Sequence, residues 1–445
     1  MDRRKYFLLF ILCLLFCSPL LAQEEDNKSD YINTWRDTLN YGIDAEVLEV
    51  IRKIRSIKET ALNAELMKLF AYSISTDVRI GILDFFREIK YREAADMAGA
   101  VLKNYENEEA ALIRSVLGYL SEVGSHGVTK TILELVDNDD DSISMSAIAA
   151  LGKTGDESAA EVLLTKLDNV EFPTSRKSQL ILALGDLGFR KAVTKLMDIA
   201  GNKEADKIWR MYACESLGKI KDASAVPVIK KIFSENDPLL KAYAANALAN
   251  FNITDVIDIL IEGLKDNYWK VRVASIKGLA RPEGAKAITI LKYKARKDPE
   301  GVVRKEAIKT LGAIGTGEAF DALRELFEND GEPGEIREAA FNTLIENDLS
   351  QATISSIKRT IAKSSEKNPR MLEIIARKLS VTSWGDLKSI YLIFLESSSF
   401  VLRIHGIKGA VKNNLYDLKG KIKDLSEHDP NPSVKKEALS ALDQM

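Results

Sequence analysis

The residues able to do chemistry in this chain are few and scattered. Its three histidines, His126, His405 and His428, have neither one another nor a cysteine at metal-ligand spacing. The sequence carries no phosphate-cradling loop, no Gly-x-Ser-x-Gly elbow and no dinucleotide fingerprint. Paired carboxylates abound, as they do on any acidic helical surface, so spacing alone singles out no acid–base pair. The expectation is a non-enzymatic protein, with no catalytic, metal-binding or cofactor-binding residue and no cofactor. The acidic run Asp137-Asn138-Asp139-Asp140-Asp141 would need Gly and Glu at the sixth and twelfth loop positions to hold calcium as an EF-hand does. Those places are Ser142 and Ile148. A solvated turn that caps the following helix is expected instead.

The thiols speak to compartment rather than catalysis. Arg3, Arg4 and Lys5 precede an apolar run from Tyr6 to Phe16, and Ser18-Pro19-Leu20-Leu21-Ala22 offers a cleavage point. Residues 1–22 therefore read as a secretory signal cut after Ala22, placing the mature chain in the periplasm or cell envelope. Acylation at Cys17 is the main alternative, although bulky Phe16 disfavours it; a retained anchor is another, although the apolar run is short for a span. Membrane contact is expected only through such a lipid or signal anchor. Cys13 and Cys17 leave with the signal, and Cys214 remains as the single mature thiol. No internal disulfide follows, and its core-facing helical position makes Cys214 a buried, inert thiol.

The elements that must position any site are helices. At 445 residues an ordinary globular chain would split into two or three domains, but an internal repeat overrides that prior. Lys297-Asp-Pro-Glu-Gly-Val-Val-Arg-Lys-Glu-Ala307 recurs as His428-Asp-Pro-Asn-Pro-Ser-Val-Lys-Lys-Glu-Ala438. Leu117, Leu151, Leu184, Leu217, Leu248, Leu279, Leu311, Leu344 and Leu379 follow one another at intervals of 31 to 35 residues. A period in this range is the signature of stacked helical pairs. Residues 23–40 read as an acidic, disordered leader, and residues 41–445 as an all-α solenoid of about thirteen helix pairs, the last cut off after its first helix. Gly152, Gly185, Gly218 and Gly312 follow their leucines directly, where a left-handed C-cap residue is wanted.

Unrolled at 100° per residue, each first helix shows an apolar side three, four and eight positions before its leucine. These rows include Ile148, Ile181, Ile276 and Ile308, then Ala147, Ala213, Ala244 and Ala307, then Trp209, Leu240, Val271 and Val303. Small alanines let neighbouring helices approach, and branched residues fill the gaps. The segment between Leu349 and Ser399 carries a weaker pattern, compatible with a hinge, an insertion or divergent repeats.

The motifs Asp266…Val271-Arg272…Leu279, Asp298…Val303-Arg304…Leu311-Gly312 and Ser142…Ala147-Ile-Ala-Ala-Leu-Gly152 resemble HEAT repeats. The nearest variant is the short bacterial one also seen in phycobilisome-lyase-type proteins. The resemblance covers nearly all of the mature chain and implies a solenoid, but such repeats serve many functions.

Two polar rows stand out. Seven positions before the anchor run Lys177, Arg210, Lys241, Arg272, Arg304 and Arg337, with Asp266, Asp298 and Asp330 a few residues earlier in their repeats. At about 20° from the anchor this row points toward the neighbouring repeat. The resemblance implies that such Asp and Arg residues pair between units, a structural ladder rather than an anion site. On the opposite side lie Lys277, Lys309, Arg377 and Lys408, interrupted by Asn342, and five or six positions before the anchor lie Met211, Tyr212, Tyr243 and Val273. If the first helix is the inner one, as in HEAT pairs, these form a concave groove with an apolar stretch followed by a basic one. Such a groove suits an acidic or amphipathic protein segment. The net charge of −3 argues against nonspecific nucleic-acid binding. The expected function is an exported protein-binding scaffold; the alternatives are an envelope spacer and, less favoured, a lyase-type enzyme or DNA glycosylase sharing the repeat.

Overall fold

The computed structural model describes residues 30–124, 127–367 and 369–445. The signal segment 1–22, the leader up to residue 29 and His126 lie outside the described residues. Every regular element described is helical, and the chain forms two compact units meeting in sequence at Asp222 and Ala223.

The first unit opens with a helix over residues 30–41, so residues 30–40, expected to belong to a disordered leader over 23–40, are helical. Ile32 and Leu39 are buried, and Arg36 reaches Glu65 at 2.7 Å, which gives this segment a packed face the sequence pattern hid. First helices then follow at Asp44–Ile57, Thr76–Glu88, Ala110–Val123, Asp141–Thr154, Thr174–Asp186 and Lys207–Ile220. The second unit has seven: Pro238–Leu248, Trp269–Gly278, Gly301–Ile314, Gly334–Asn347, Pro369–Leu379, Phe400–Lys412 and Pro432–Gln444. Among the described residues this makes thirteen first helices, each but the last followed by a second helix. Polar N-caps start many of them: Asp140, Asp156, Asp206, Asp237 and Asn431 each accept hydrogen bonds from the first free backbone N–H groups.

Within each unit, successive first helices lie against one another more extensively than successive second helices do, except where Gly334–Asn347 meets Pro369–Leu379. The first-helix layer is therefore the compressed, inner side of its own row. The apolar rows form the core: Ile148, Ile181, Ile276, Ile308, Ala147, Ala213, Ala244 and Ala307 are all buried. Trp209 departs from its row, being half-buried with the Lys177 ammonium 6.0 Å from its ring centre. Cys214 is fully buried.

The glycines that follow the anchors are not caps. Gly152, Gly185, Gly218 and Gly312 lie inside their helices and none has positive φ. A β-carbon on Gly152 would meet the Ala183 backbone at 3.0 Å, and one on Gly185 would stand 2.5 Å from Ser216 Cβ. A β-carbon on Gly312 would strike the Thr343 side chain. At Gly152, Gly185 and Gly312, glycine is wanted for close helix approach rather than for a left-handed turn. The segment 349–399 resolves as divergent repeats. It holds the 17-residue helix Gln351–Lys367, then Pro369–Leu379 and Lys388–Leu395. This 17-residue helix hides its packing signal because its buried face carries Thr353, Ser356, Thr360 and Ser364 beside Ile354, Ile357 and Ile361.

Candidate functional site

The basic row seven positions before the anchor is turned inward, and its geometry separates into kinds. Arg272, almost fully buried, donates from Nε to Asp298 Oδ2 at 2.8 Å and from Nη2 to Oδ1 at 2.7 Å. Its Nη1 donates to the carbonyls of Asp266 and Asn267, both at 3.0 Å. Arg403 repeats this arrangement, with Asp429 at 2.6 and 2.8 Å and the Ser397 and Ser398 carbonyls at 2.8 and 3.0 Å. Each arginine thus ties its own turn to the carboxylate of the next repeat. Burial alone would raise the Asp298 carboxyl, but hydrogen bonds from Arg272, the Glu300 backbone and Lys294 outweigh it and hold it below its ordinary value. Lys241 reaches Asp266 at 3.0 Å in the same sense.

Arg304 and Asp330 leave that pattern. Arg304 pairs with Glu335 at 3.0 Å and donates to the Asp298 carbonyl at 2.9 Å, while Asp330 pairs at 2.8 Å with Arg337 of its own repeat. The turn here is extended by Gly331-Glu332-Pro333, and buried Glu332 pairs with Arg296. Arg210 donates to the Ala200 carbonyl at 2.9 Å.

The opposite row stays in solvent. Lys277, Lys309, Arg377 and Lys408 are all exposed, on the solvent-facing side of the first-helix layer of the second unit. Lys408 lies 3.7 Å from Glu437; Lys277, Lys309 and Arg377 make no ion pair among the described residues. The apolar stretch behaves differently. Tyr243 and Val273 of this unit, and Met211 and Tyr212 of the first unit, are half-buried rather than exposed. Five or six positions before the anchor correspond to about 140° and 240°, the flanks where successive first helices touch, whereas two positions correspond to about 200°. Large exposed apolar side chains occur elsewhere, among them Tyr72, Ile74, Val381 and Phe400.

Sequence reasoning missed a cleft beside Arg377. It is lined by Glu338, Arg370, Glu373, Arg377 and His405, among others, and measures about 460 Å³. Arg370 lies seven residues before Arg377, in the same helical row, a signal obscured by the poor pattern over 349–399. The Asp137–Asp141 turn is already engaged: Asp137 pairs with Lys166 and Asp141 with Arg176, each at 2.6 Å, and Asp140 caps its helix. Among the described residues no group of three or more His, Cys, Asp or Glu side chains could hold a metal ion, and no helix is long and apolar enough to cross a membrane.

Stacked helix pairs, an inner layer of first helices and inter-repeat arginine clamps define an α-solenoid of the HEAT class. The chain belongs to the Spirochaete HEAT repeat protein family, which it matches over residues 39–441. No curated protein matches the sequence. Among solved structures, Kap95p in its complex with RanGDP is similar with a TM-score of 0.52 at 13% identity, over 86% of this chain and 60% of Kap95p. Importin beta gives 0.46 at 12%, over 96% of this chain and 70% of that one. The phycocyanin lyase CpcE–CpcF complex from Nostoc sp. PCC7120 gives 0.35 at 21%, over 53% of this chain and 94% of that one. At these identities the likeness is one of fold.

Proposed function

We propose that this protein is an exported, non-enzymatic scaffold of the periplasm or cell envelope that binds a protein or peptide partner on its first-helix layer. The observation that carries the reading is the exposed row Lys277, Lys309, Arg377 and Lys408 in the second unit, three of its four cations without an ion pair among the described residues. Lysines and arginines elsewhere in the fold commonly have a carboxylate between repeats, as Lys219 has Asp186 and Arg55 has Glu88. A row held in the inner layer without such partners is suited to acidic groups from another molecule. The signal-like segment 1–22 supports export. Kap95p, which shares the fold, engages RanGDP, so a solenoid of this kind can serve as a protein-binding surface.

The test is cross-linked affinity capture from the native envelope, with the mature protein and a variant carrying Lys277→Glu, Lys309→Glu, Arg377→Glu and Lys408→Glu. A stoichiometric partner held by the native form and lost by the folded variant supports the scaffold. Equal capture by both moves the site off this row, and absence of any partner favours a structural spacer. Fractionation of cells producing the full chain tests export, which recovery in the cytoplasm would contradict.

A further inference from the structure

The inner layer of the second unit loosens where Gly334–Asn347 and Pro369–Leu379 meet, which pack together less closely than the other neighbouring first helices of that unit. The 460 Å³ cleft opens there, and a second hollow of about 300 Å³ shares Glu338, Arg370 and Ile374 with it. One helix contributes Glu338, the next Arg370, Glu373 and Arg377, and the third His405.

Nearby charges are already spent: Glu335 on Arg304, Lys378 on Glu346, Glu437 on Lys408. Glu338, Arg370, Glu373 and Arg377 make no ion pair among the described residues, although both signs line one cleft. The charges alternate along the central helix, as Arg370, Glu373, Arg377.

His405 adds an oriented acceptor. Ser380 Oγ donates its only hydrogen to the Arg377 carbonyl at 2.8 Å, so toward His405 Nδ1, at 3.2 Å, it can only accept. Nδ1 therefore carries the proton, and Nε2 of the neutral ring is left with a lone pair. Burial, then Lys408 and Arg377, lower the His405 pKa, against the opposing pull of Glu373 and Glu437.

We propose that this cleft takes an extended peptide segment in which one basic residue sits between two carboxylates. The carboxylates dock on the Arg370 and Arg377 guanidiniums, whose planar forks bind them bidentately. The ammonium lies among Glu338, Glu373 and the His405 acceptor. Seven residues of helix rise about 10 Å, which an extended chain spans in about three residues, so the segment reads acid-base-x-acid. The inference rests on the scaffold reading and specifies its partner's chemistry.

The probe is a fluorescent, end-blocked peptide Ala-Glu-Lys-Ala-Glu-Ala, compared by anisotropy with the shuffled Glu-Glu-Ala-Ala-Ala-Lys and the charge-inverted Ala-Lys-Glu-Ala-Lys-Ala. Mature protein should bind the first at least about tenfold more tightly than either control. Arg370→Glu with Arg377→Glu should abolish that preference, and the milder Arg370→Gln with Arg377→Gln should weaken it. These side chains line an open cleft, and circular dichroism verifies that the variants are folded. Equal affinity for the patterned and shuffled peptides, binding unaffected by either double variant, or no binding of the patterned peptide overturns the proposal. If the Arg370→Glu, Arg377→Glu protein still captures the envelope partner, the scaffold reading survives and the cleft assignment alone falls.

Discussion

Arg272 and Asp298 meet through two hydrogen bonds of 2.8 and 2.7 Å, and the side chains are 6% and 0% exposed. Removing one member leaves the other charged and buried. Arg272→Ala and Asp298→Ala should each cost about 3–5 kcal/mol, as should Arg403→Ala at the equivalent site. Arg304→Ala removes a pair whose Glu335 is largely exposed, so about 0–1 kcal/mol is expected. Urea unfolding of the four variants checks the order; equal losses at Arg272 and Arg304 would contradict it.

The same pair sets an acid response. Its folded-state Asp298 pKa lies below the ordinary 3.8, after hydrogen bonds from Arg272, the Glu300 backbone and Lys294 overcome burial. A lowered carboxyl contributes stability that is fully present above the unfolded value and is lost as pH falls through the folded one. Asp429 behaves alike, with Arg403 overcoming burial. The melting temperature should therefore drop steeply on acidification from pH 5 through the ordinary carboxyl value of 3.8 and below. Asp298→Asn, already weakened at neutral pH, should show a shallower slope there. A parallel slope would rule out this pair as a major contributor.

Glycines at crossings and glycines in open positions should answer oppositely to alanine. A β-carbon on Gly185 would lie 2.5 Å from Ser216 Cβ, and one on Gly409 would lie 2.5 Å from Tyr391 Cζ. Tyr391 is itself fixed by donating to the Leu379 carbonyl at 2.8 Å. Gly185→Ala and Gly409→Ala should cost about 1–3 kcal/mol through overpacking. Gly420, inside a helix with nothing near its missing side chain, should gain about 0.4–1 kcal/mol as alanine. Thermal unfolding decides, and a stable Gly409→Ala protein would contradict the packing argument.

His405 should titrate below its ordinary 6.5, because burial comes first and Lys408 and Arg377 add to it. Its lowered pKa means that protonation on acidification works against the fold. Arg377→Gln should move the NMR titration midpoint upward by removing one repelling charge, whereas Glu373→Gln should move it down. An unchanged midpoint in both variants would place these charges too far away to matter.

How much of this was legible in the sequence follows from how local each signal is. The leucine period and the apolar rows carry the solenoid because they repeat with the helical turn, and Ile148, Ala213 and Val303 are buried where the pattern put them. The anchor-following glycines do not declare their role in sequence, because a mid-helix crossing and a C-cap make the same demand there, the absence of a side chain. Met211, Tyr212, Tyr243 and Val273 are half-buried because a ridge position does not reveal how closely the next helix lies. The cleft at Arg370 was hidden for a related reason: it depends on a local loosening between two helices, which no single repeat encodes.

The most direct test of the proposed inner-layer binding surface is amide hydrogen exchange with and without a protein recovered by the capture experiment. Protection should appear in the first helices Trp269–Gly278, Gly301–Ile314, Pro369–Leu379 and Phe400–Lys412. Protection confined to second helices such as Ile288–Lys297, Gly317–Glu328 and Lys388–Leu395 would contradict an inner-layer binding surface.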